Sequence, residues 1–224
     1  NMSPKFERPP ISQDCNAFLQ YTGGTTGISK GAILPHRNIL ANIQQSLNWY
    51  EFKADEGKEI VINALPLSHI FSLVAICFCT LIIGGVNVLI TNPRDINTFV
   101  GVLTKIKFTN LSGVNTLFKK IMEHPNFSKI DTSALKYCVS GGMATEEAVA
   151  KRWEKYTGTI LLEGYGLTEC SPTVLFNPIN NKEFTGMTGL PLPQTDVQIR
   201  DDKGTELPEG EIGEICVSGP QVMK

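Results

Sequence analysis

Between Tyr21 and Lys30 the chain places three glycines (Gly23, Gly24, Gly27), three threonines (Thr22, Thr25, Thr26) and a lysine, just after the apolar run Ala17-Phe18-Leu19. Glycine lets a backbone turn tightly and bring its N–H groups close to an anion. Threonine hydroxyls add donors, and the Lys30 ammonium adds a mobile positive charge. A polyphosphate is the ligand that uses all three; an ordinary polar turn needs neither the lysine nor this density. The loop is not G-x-x-x-x-G-K-[ST], because Ile28 and Ser29 separate Gly27 from Lys30, and it is not G-x-G-x-x-G either.

A second segment, Glu163-Gly164-Tyr165-Gly166-Leu167-Thr168-Glu169, carries complementary chemistry. Tyr165 can lay an aromatic face against a purine. Thr168 can donate to a phosphate oxygen, and Glu169 is a hard oxygen ligand suited to Mg²⁺ bound through phosphates. Two further segments each follow an apolar run. His69, in Leu65-Pro66-Leu67-Ser68-His69, can orient a carboxylate, although in isolation a satisfied structural histidine is the better explanation. Gly141-Gly142 permits close approach of a flat ligand, or is a plain strand-to-helix turn.

The elements that must position these residues alternate between strand and helix patterns. Strands are expected at 16–21, 60–65, 86–90, 111–114, 135–139 and 160–162. Helices are expected from Asn38 as cap through Ile39, Ile43, Leu47 and Tyr50, over 70–83, and over 96–106. A further helical face carries Leu117, Phe118, Ile121 and Met122, and a last helix runs from Thr145 to a stop at Gly158. This alternation predicts an α/β fold, a largely parallel sheet flanked by helices. After about Asn177 the helical period disappears and Gly, Pro and Thr become dense. Strands over 197–200 and 212–217, with a turn at Asp201-Asp202-Lys203-Gly204, predict the start of a small antiparallel sheet or barrel. The expected division is therefore 1–177, an incomplete α/β binding region, and 178–224, an incomplete β-rich subdomain. The chain starts at Asn1 and stops straight after a strand-like run, which reads as a piece of something longer.

Composition excludes several classes. The net charge of −2 provides no basic face for nucleic acid. The six cysteines contain no Cys-x-x-Cys pair, which points to reduced thiols in a cytoplasmic protein rather than a metal or disulfide framework. Residues 70–90 carry no charge, but Gly84-Gly85 divides the run into pieces shorter than the roughly twenty residues of a spanning helix. A buried helix turning into a strand is expected instead, with an apolar ligand tunnel or transient lipid contact as further uses.

The Thr22–Gly27 loop, with Lys30-Gly31-Ala32 and Pro35-His36-Arg37-Asn38 behind it, resembles the phosphate loop of the adenylate-forming enzymes, the acyl-CoA synthetases. The form is most like that of long-chain fatty-acid–CoA ligases, and Tyr165-Gly166-Leu167-Thr168-Glu169 is similar to that family's second signature. The resemblance implies a partial adenylate-forming fold, with ATP, Mg²⁺ and coenzyme A as cofactor and substrates and a fatty acid as the acid activated. It implies Lys30 and the loop residues Gly23, Gly24, Thr25, Thr26 and Gly27 on the β- and γ-phosphates, Thr22 and Glu169 on Mg²⁺, and Thr168 on the α-phosphate. Glu163, Gly164 and Tyr165, with Gly141 and Gly142, fall at the adenine, and His69 near the carboxylate. Phe71, Leu73 and the following helix bound the acyl tail. Amino-acid-activating relatives carry an aspartate near His69; none lies between Leu65 and Leu73.

The family's ribose-binding Thr-Gly-Asp does not occur, and neither the long N-terminal portion nor the mobile C-terminal domain with its catalytic lysine is expected within these residues. The piece by itself is therefore expected not to turn over. A proline often found before the lysine is replaced by Ile28-Ser29, and the tryptophan gate of some long-chain members has no counterpart in Ile70-Phe71-Ser72-Leu73. The alternatives are another acyl- or aryl-CoA ligase, a domain loading a carrier protein, a non-catalytic nucleotide-binding module, and an integral membrane protein. Cytoplasmic location is expected, with peripheral contact to the inner face of a membrane.

Overall fold

A computed structural model describes residues 9–22, 30–50 and 54–223. Strands β1 (Asn16–Thr22) and β2 (Lys30–Pro35) form an antiparallel pair in which Thr22 faces Lys30. Helix α1 (His36–Tyr50) follows β2 without a break. It begins two residues before the expected cap, because the His36 and Arg37 N–H groups donate to the Cys15 and Gln13 carbonyls. Asn38 is consequently inside the helix and free for other work.

Five parallel strands make the body of the main sheet: β3 (Ile60–Asn63), β4 (Val86–Leu89), β5 (Asn110–Gly113), β6 (Tyr137–Ser140) and β7 (Leu161–Gly166). Antiparallel β8 (Thr173–Phe176) and β9 (Leu190–Pro191) extend it to the order β4-β3-β5-β6-β7-β8-β9. The intervening helices are α2 (Cys79–Ile82), α3 (Ile96–Leu103), α4 (Asn115–Glu123) and α5 (Glu147–Thr157). A separate hairpin pairs β10 (Asp196–Arg200) with β11 (Glu214–Ser218), and the Asp201 carboxylate accepts from the Lys203 and Thr205 N–H groups in its turn.

Alternate strand residues feed two cores. Ile62, Leu111, Cys138 and Leu161 face α3, α4 and α5, where Trp153 meets the Phe118 ring edge-on at 4.9 Å between centroids. Val139 and Leu162 face the other way, toward Phe71, Trp49 and Phe176. The expected helix over 70–83 is instead a wide π-helical segment, Phe71–Phe78, that tightens into α2. Its position is fixed by buried Ser72, whose hydroxyl reaches the Leu65 carbonyl at 2.8 Å and the Asn63 side chain at 2.9 Å. The run is buried only along its first part, since Leu81 and Ile82 are exposed. Among the described residues no helix is long and apolar enough to cross a membrane.

Gly101, in the middle of α3, has nothing within 4 Å of the place a Cβ would occupy. Gly101→Ala is expected to raise stability by about 1 kcal/mol, the helix-propensity difference, read as a higher urea midpoint at unchanged slope.

Candidate functional site

The order of the parallel strands reverses at β3, where β4 lies on one side and β5 on the other, and the carboxyl ends of β3 to β7 lie along one edge of the sheet. The residues just after those ends line a cleft of about 300 Å³. His69, Ile70 and Phe71 come from the segment after β3, Gly141 and Gly142 from the turn after β6, and Gly164, Tyr165 and Gly166 from β7 itself. Leu167, Thr168 and Glu169 continue the wall, Pro172, Thr173 and Phe176 close the far side, and Thr22 enters from β1.

Each wall has a local cause. The absence of a side chain at Gly141 lets the Phe71 ring lie against the turn, since a Cβ there would sit 3.1 Å from Phe71 Cε1. Tyr165, half-buried, presents its ring from the end of β7. Thr168–Cys170 forms a single 3₁₀ turn closed by the Cys170 N–H donating to the Leu167 carbonyl at 2.9 Å. Burial pushes the Cys170 thiol up to about 11, with the Glu169 charge adding to the effect, so this cysteine is protonated and inert at neutral pH. His69 Nδ1 accepts the Phe71 N–H at 3.2 Å. This contact selects the neutral tautomer in which Nε2–H is the donor. The His69 segment is tied to β1 by Gln20, whose side chain donates to the Ser68 carbonyl at 2.5 Å.

Of the residues singled out in the sequence, the cleft brings together Thr22, His69, Gly141, Gly142, Gly164, Tyr165, Thr168 and Glu169. Lys30 is exposed and stands outside the lining. It is paired with Thr22, whose hydroxyl donates to its carbonyl at 3.3 Å, and its strand packs against the Thr168–Cys170 turn. Gly23, Gly24, Thr25, Thr26 and Gly27 lie outside the described residues. Glu163 departs from expectation: its side chain is buried behind the wall, where Oε1 accepts the Thr145 N–H at 3.0 Å, and it does not line the cleft.

Sequence reasoning missed the far wall, Pro172–Phe176. Its signal was the run Thr173-Val174-Leu175-Phe176 between two X-Pro breaks, a short strand by composition. It also missed the amide side chains of α1 that hold this wall. Among the described residues no three His, Cys, Asp or Glu side chains are grouped to hold a metal by themselves.

Residues 2–224 match the AMP-binding enzyme family. The chain belongs to this family. Similar members include a long-chain-fatty-acid–CoA ligase of Yersinia pestis, 48% identical over 219 residues, and one of Bacillus subtilis, 40% identical over 210. These alignments take in 98% and 93% of this chain but 39% and 37% of the relatives. The chain thus spans about two fifths of the length of the curated AMP-binding relatives it matches. A feruloyl-CoA synthase of Amycolatopsis sp. is 34% identical over 216 residues, 96% of this chain and 43% of that protein. Among solved structures, ATP-bound MatB from Rhodopseudomonas palustris superposes with a TM-score of 0.84 at 30% identity, over 98% of this chain and 42% of that one. The anthranilate CoA ligase AuaEII in complex with anthranoyl-AMP shares the fold, with a TM-score of 0.88 at 21% identity over 98% and 42% of the two chains.

Proposed function

We propose that this AMP-binding chain is the nucleotide- and acid-binding part of an ATP-dependent fatty-acid–CoA ligase. The observation that carries the reading is the convergence of Thr22, His69, Tyr165, Thr168 and Glu169 on one cleft at the carboxyl ends of the parallel strands. The similarity to ligases named for long-chain fatty acids supports the acid. In the first step a carboxylate oxygen attacks the α-phosphorus of ATP and the bond to the β-phosphate bridging oxygen breaks, giving acyl-adenylate and pyrophosphate. In the second, the coenzyme A thiolate attacks the acyl carbon and AMP leaves with the electron pair.

The residues of this chain divide the work. Tyr165 with Gly164 stacks the adenine, and the Gly141-Gly142 turn borders it. Glu163 backs that wall through Thr145. Thr168 donates to the α-phosphate, while Lys30 and the 23–27 loop take the β- and γ-phosphates. His69 Nε2–H orients the carboxylate for in-line attack. Glu169 and Thr22 are hard oxygen donors on the same cleft, a set that suits a Mg²⁺ ion completed by phosphate oxygens and water. Bound there, Mg²⁺ would neutralise phosphate charge. Residues 1–177, whose sheet β9 extends, form the binding region, and β10–β11 belongs to a β-rich subdomain within 178–224. The whole enzyme is cytoplasmic, meeting a membrane only peripherally to collect its acid.

Phe71, Ala75 and Val139 line both the cleft and a second cavity of about 30 Å³ that reaches Glu59, Asn110 and Tyr137. The acyl tail runs past this shared wall. Phe71→Ala is expected to join the two spaces and raise kcat/KM for longer acids relative to shorter ones by about tenfold, the scale of one or two methylenes in an apolar pocket. Pyrophosphate release by the complete enzyme tests both points, with acids graded in length, with benzoate, and with or without coenzyme A. Release with benzoate and none with palmitate would turn the reading toward an aryl acid, which the feruloyl-CoA synthase relative favours. Release with neither would remove it.

A further inference from the structure

Helix α1 carries two stripes. Ile39, Ile43 and Leu47 supply its apolar contact with the π-helical segment. Asn38, Asn42 and Gln45, at intervals of four and three, share another face and are 4%, 0% and 5% exposed. Buried amides are costly unless they are hydrogen-bonded, and these are bonded to the backbone of three later segments. Asn42 Nδ2 donates to the Thr173 carbonyl at 2.8 Å and its Oδ1 accepts the Thr173 N–H at 3.0 Å. Gln45 donates to the Pro193 carbonyl at 2.6 Å and to the Gln221 side chain at 3.1 Å. Asn38 donates to the Pro220 and Val222 carbonyls at 2.6 and 2.9 Å. Gln221, fully buried, donates in turn to Thr195 Oγ1 at 2.7 Å.

The held segment then touches the cleft: the Met223 N–H donates to the Glu169 carbonyl at 2.8 Å. Thr173 is itself part of the cleft wall. Because α1 runs directly on from the strand that begins at Lys30, one continuous stretch of chain connects three things: the flank of the glycine-threonine loop, the far wall and the Glu169 turn.

We propose that Asn42 and Gln221 are positioning residues for the nucleotide side of the cleft, acting through Thr173 and through the Met223–Glu169 hydrogen bond. The inference rests on the ligase reading for its kinetic consequence, while its geometric part stands without it. An amide clamp on backbone atoms sets distance and register, which apolar packing fixes less sharply. It orients the phosphate-facing residues, whereas the segment after His69 meets α1 through the apolar stripe, which loss of the amide clamp leaves in place.

The test uses the complete enzyme with Asn42→Leu, Gln221→Met and Met223→Pro; the last removes the N–H that reaches Glu169, with Met223→Ala as the control for the lost side chain, which packs on the α1 core. The KM for Mg·ATP is expected to rise about tenfold, the weight of one buried hydrogen bond, with the KM for the fatty acid changed by less than about twofold. Amide hydrogen exchange over 168–176 should quicken while β3 and β5 stay protected. Equal rises in both KM values, or unchanged exchange over 168–176, would overturn the proposal. If the parent enzyme forms no acyl-adenylate, the ligase reading fails and exchange decides the positioning claim by itself. If Asn42→Leu does not fold, Met223→Pro carries the same comparison.

Discussion

Glu169→Gln in the complete enzyme is expected to lower pyrophosphate release by about 10²–10³-fold, the range seen when one preorganised group that stabilises transition-state charge is removed. Glu169 is the one acidic side chain among the described residues that line the cleft, so no neighbouring carboxylate replaces it. Glutamine keeps the volume. The turn is held by backbone bonds, Cys170 N–H to the Leu167 carbonyl and Met223 N–H to the Glu169 carbonyl, that the substitution leaves alone. The loss is thus of charge and not of shape. Mg²⁺ binds through one or two carboxylates plus phosphates and water, so the variant should also require more Mg²⁺ for half-maximal rate. A Mg²⁺ titration at fixed ATP separates this from a general loss. An unchanged rate and an unchanged Mg²⁺ midpoint would remove Glu169 from the metal site.

Where side chains alternate or repeat with a regular period, the fold was legible. Ile96, Phe99, Val100 and Leu103 are spaced as one helical face, and the last three are fully buried in α3. Gly158 ends α5 in the left-handed conformation that the sequence suggested. What the sequence hid was set by distant partners. β2 exists because β1 pairs with it, although Lys30 and Gly31 read as part of a loop. β7 continues through Gly164 and Gly166, poor strand formers, because β8 runs antiparallel against it. The π-helical turn at Phe71 is likewise set by contacts of Ser72 with β3 and the segment after it. At the site, the sequence singled out Thr22, Tyr165, Thr168 and Glu169, and the fold brings all four to one cleft. The buried turn of Glu163 toward Thr145, and the work of Asn42, depend on geometry that local sequence does not encode.

Gly166→Ala tests how tightly that geometry is set. A Cβ at Gly166 would lie 2.2 Å from the Pro172 carbonyl oxygen and 3.0 Å from its carbon. The same oxygen accepts the Leu167 N–H at 2.9 Å, the bond that closes the 167–172 turn. The obstacle is backbone, so no rotamer change relieves it; the turn must open or β8 must shift. Gly164→Ala provides the contrast, since its nearest neighbour, at 2.7 Å, is Cδ2 of the buried Phe176 ring, and the nearest backbone atom, the Leu175 carbonyl oxygen, is 3.2 Å away rather than 2.2 Å. Overpacking of this kind costs about 1–3 kcal/mol, and loss of the turn bond adds about 1 kcal/mol. Thr168 and Glu169 sit inside the displaced turn, so the kinetic effect should exceed the loss of stability. A misplacement near 1 Å lowers the rate about 10²-fold even in a folded enzyme. Assays well below the melting temperature should therefore show kcat/KM for ATP reduced by about that factor in Gly166→Ala, with a smaller reduction in Gly164→Ala. If the two variants lose rate equally, or if Gly166→Ala loses stability alone, the turn tolerates displacement and the phosphate-side residues are not held by the β7–β8 register.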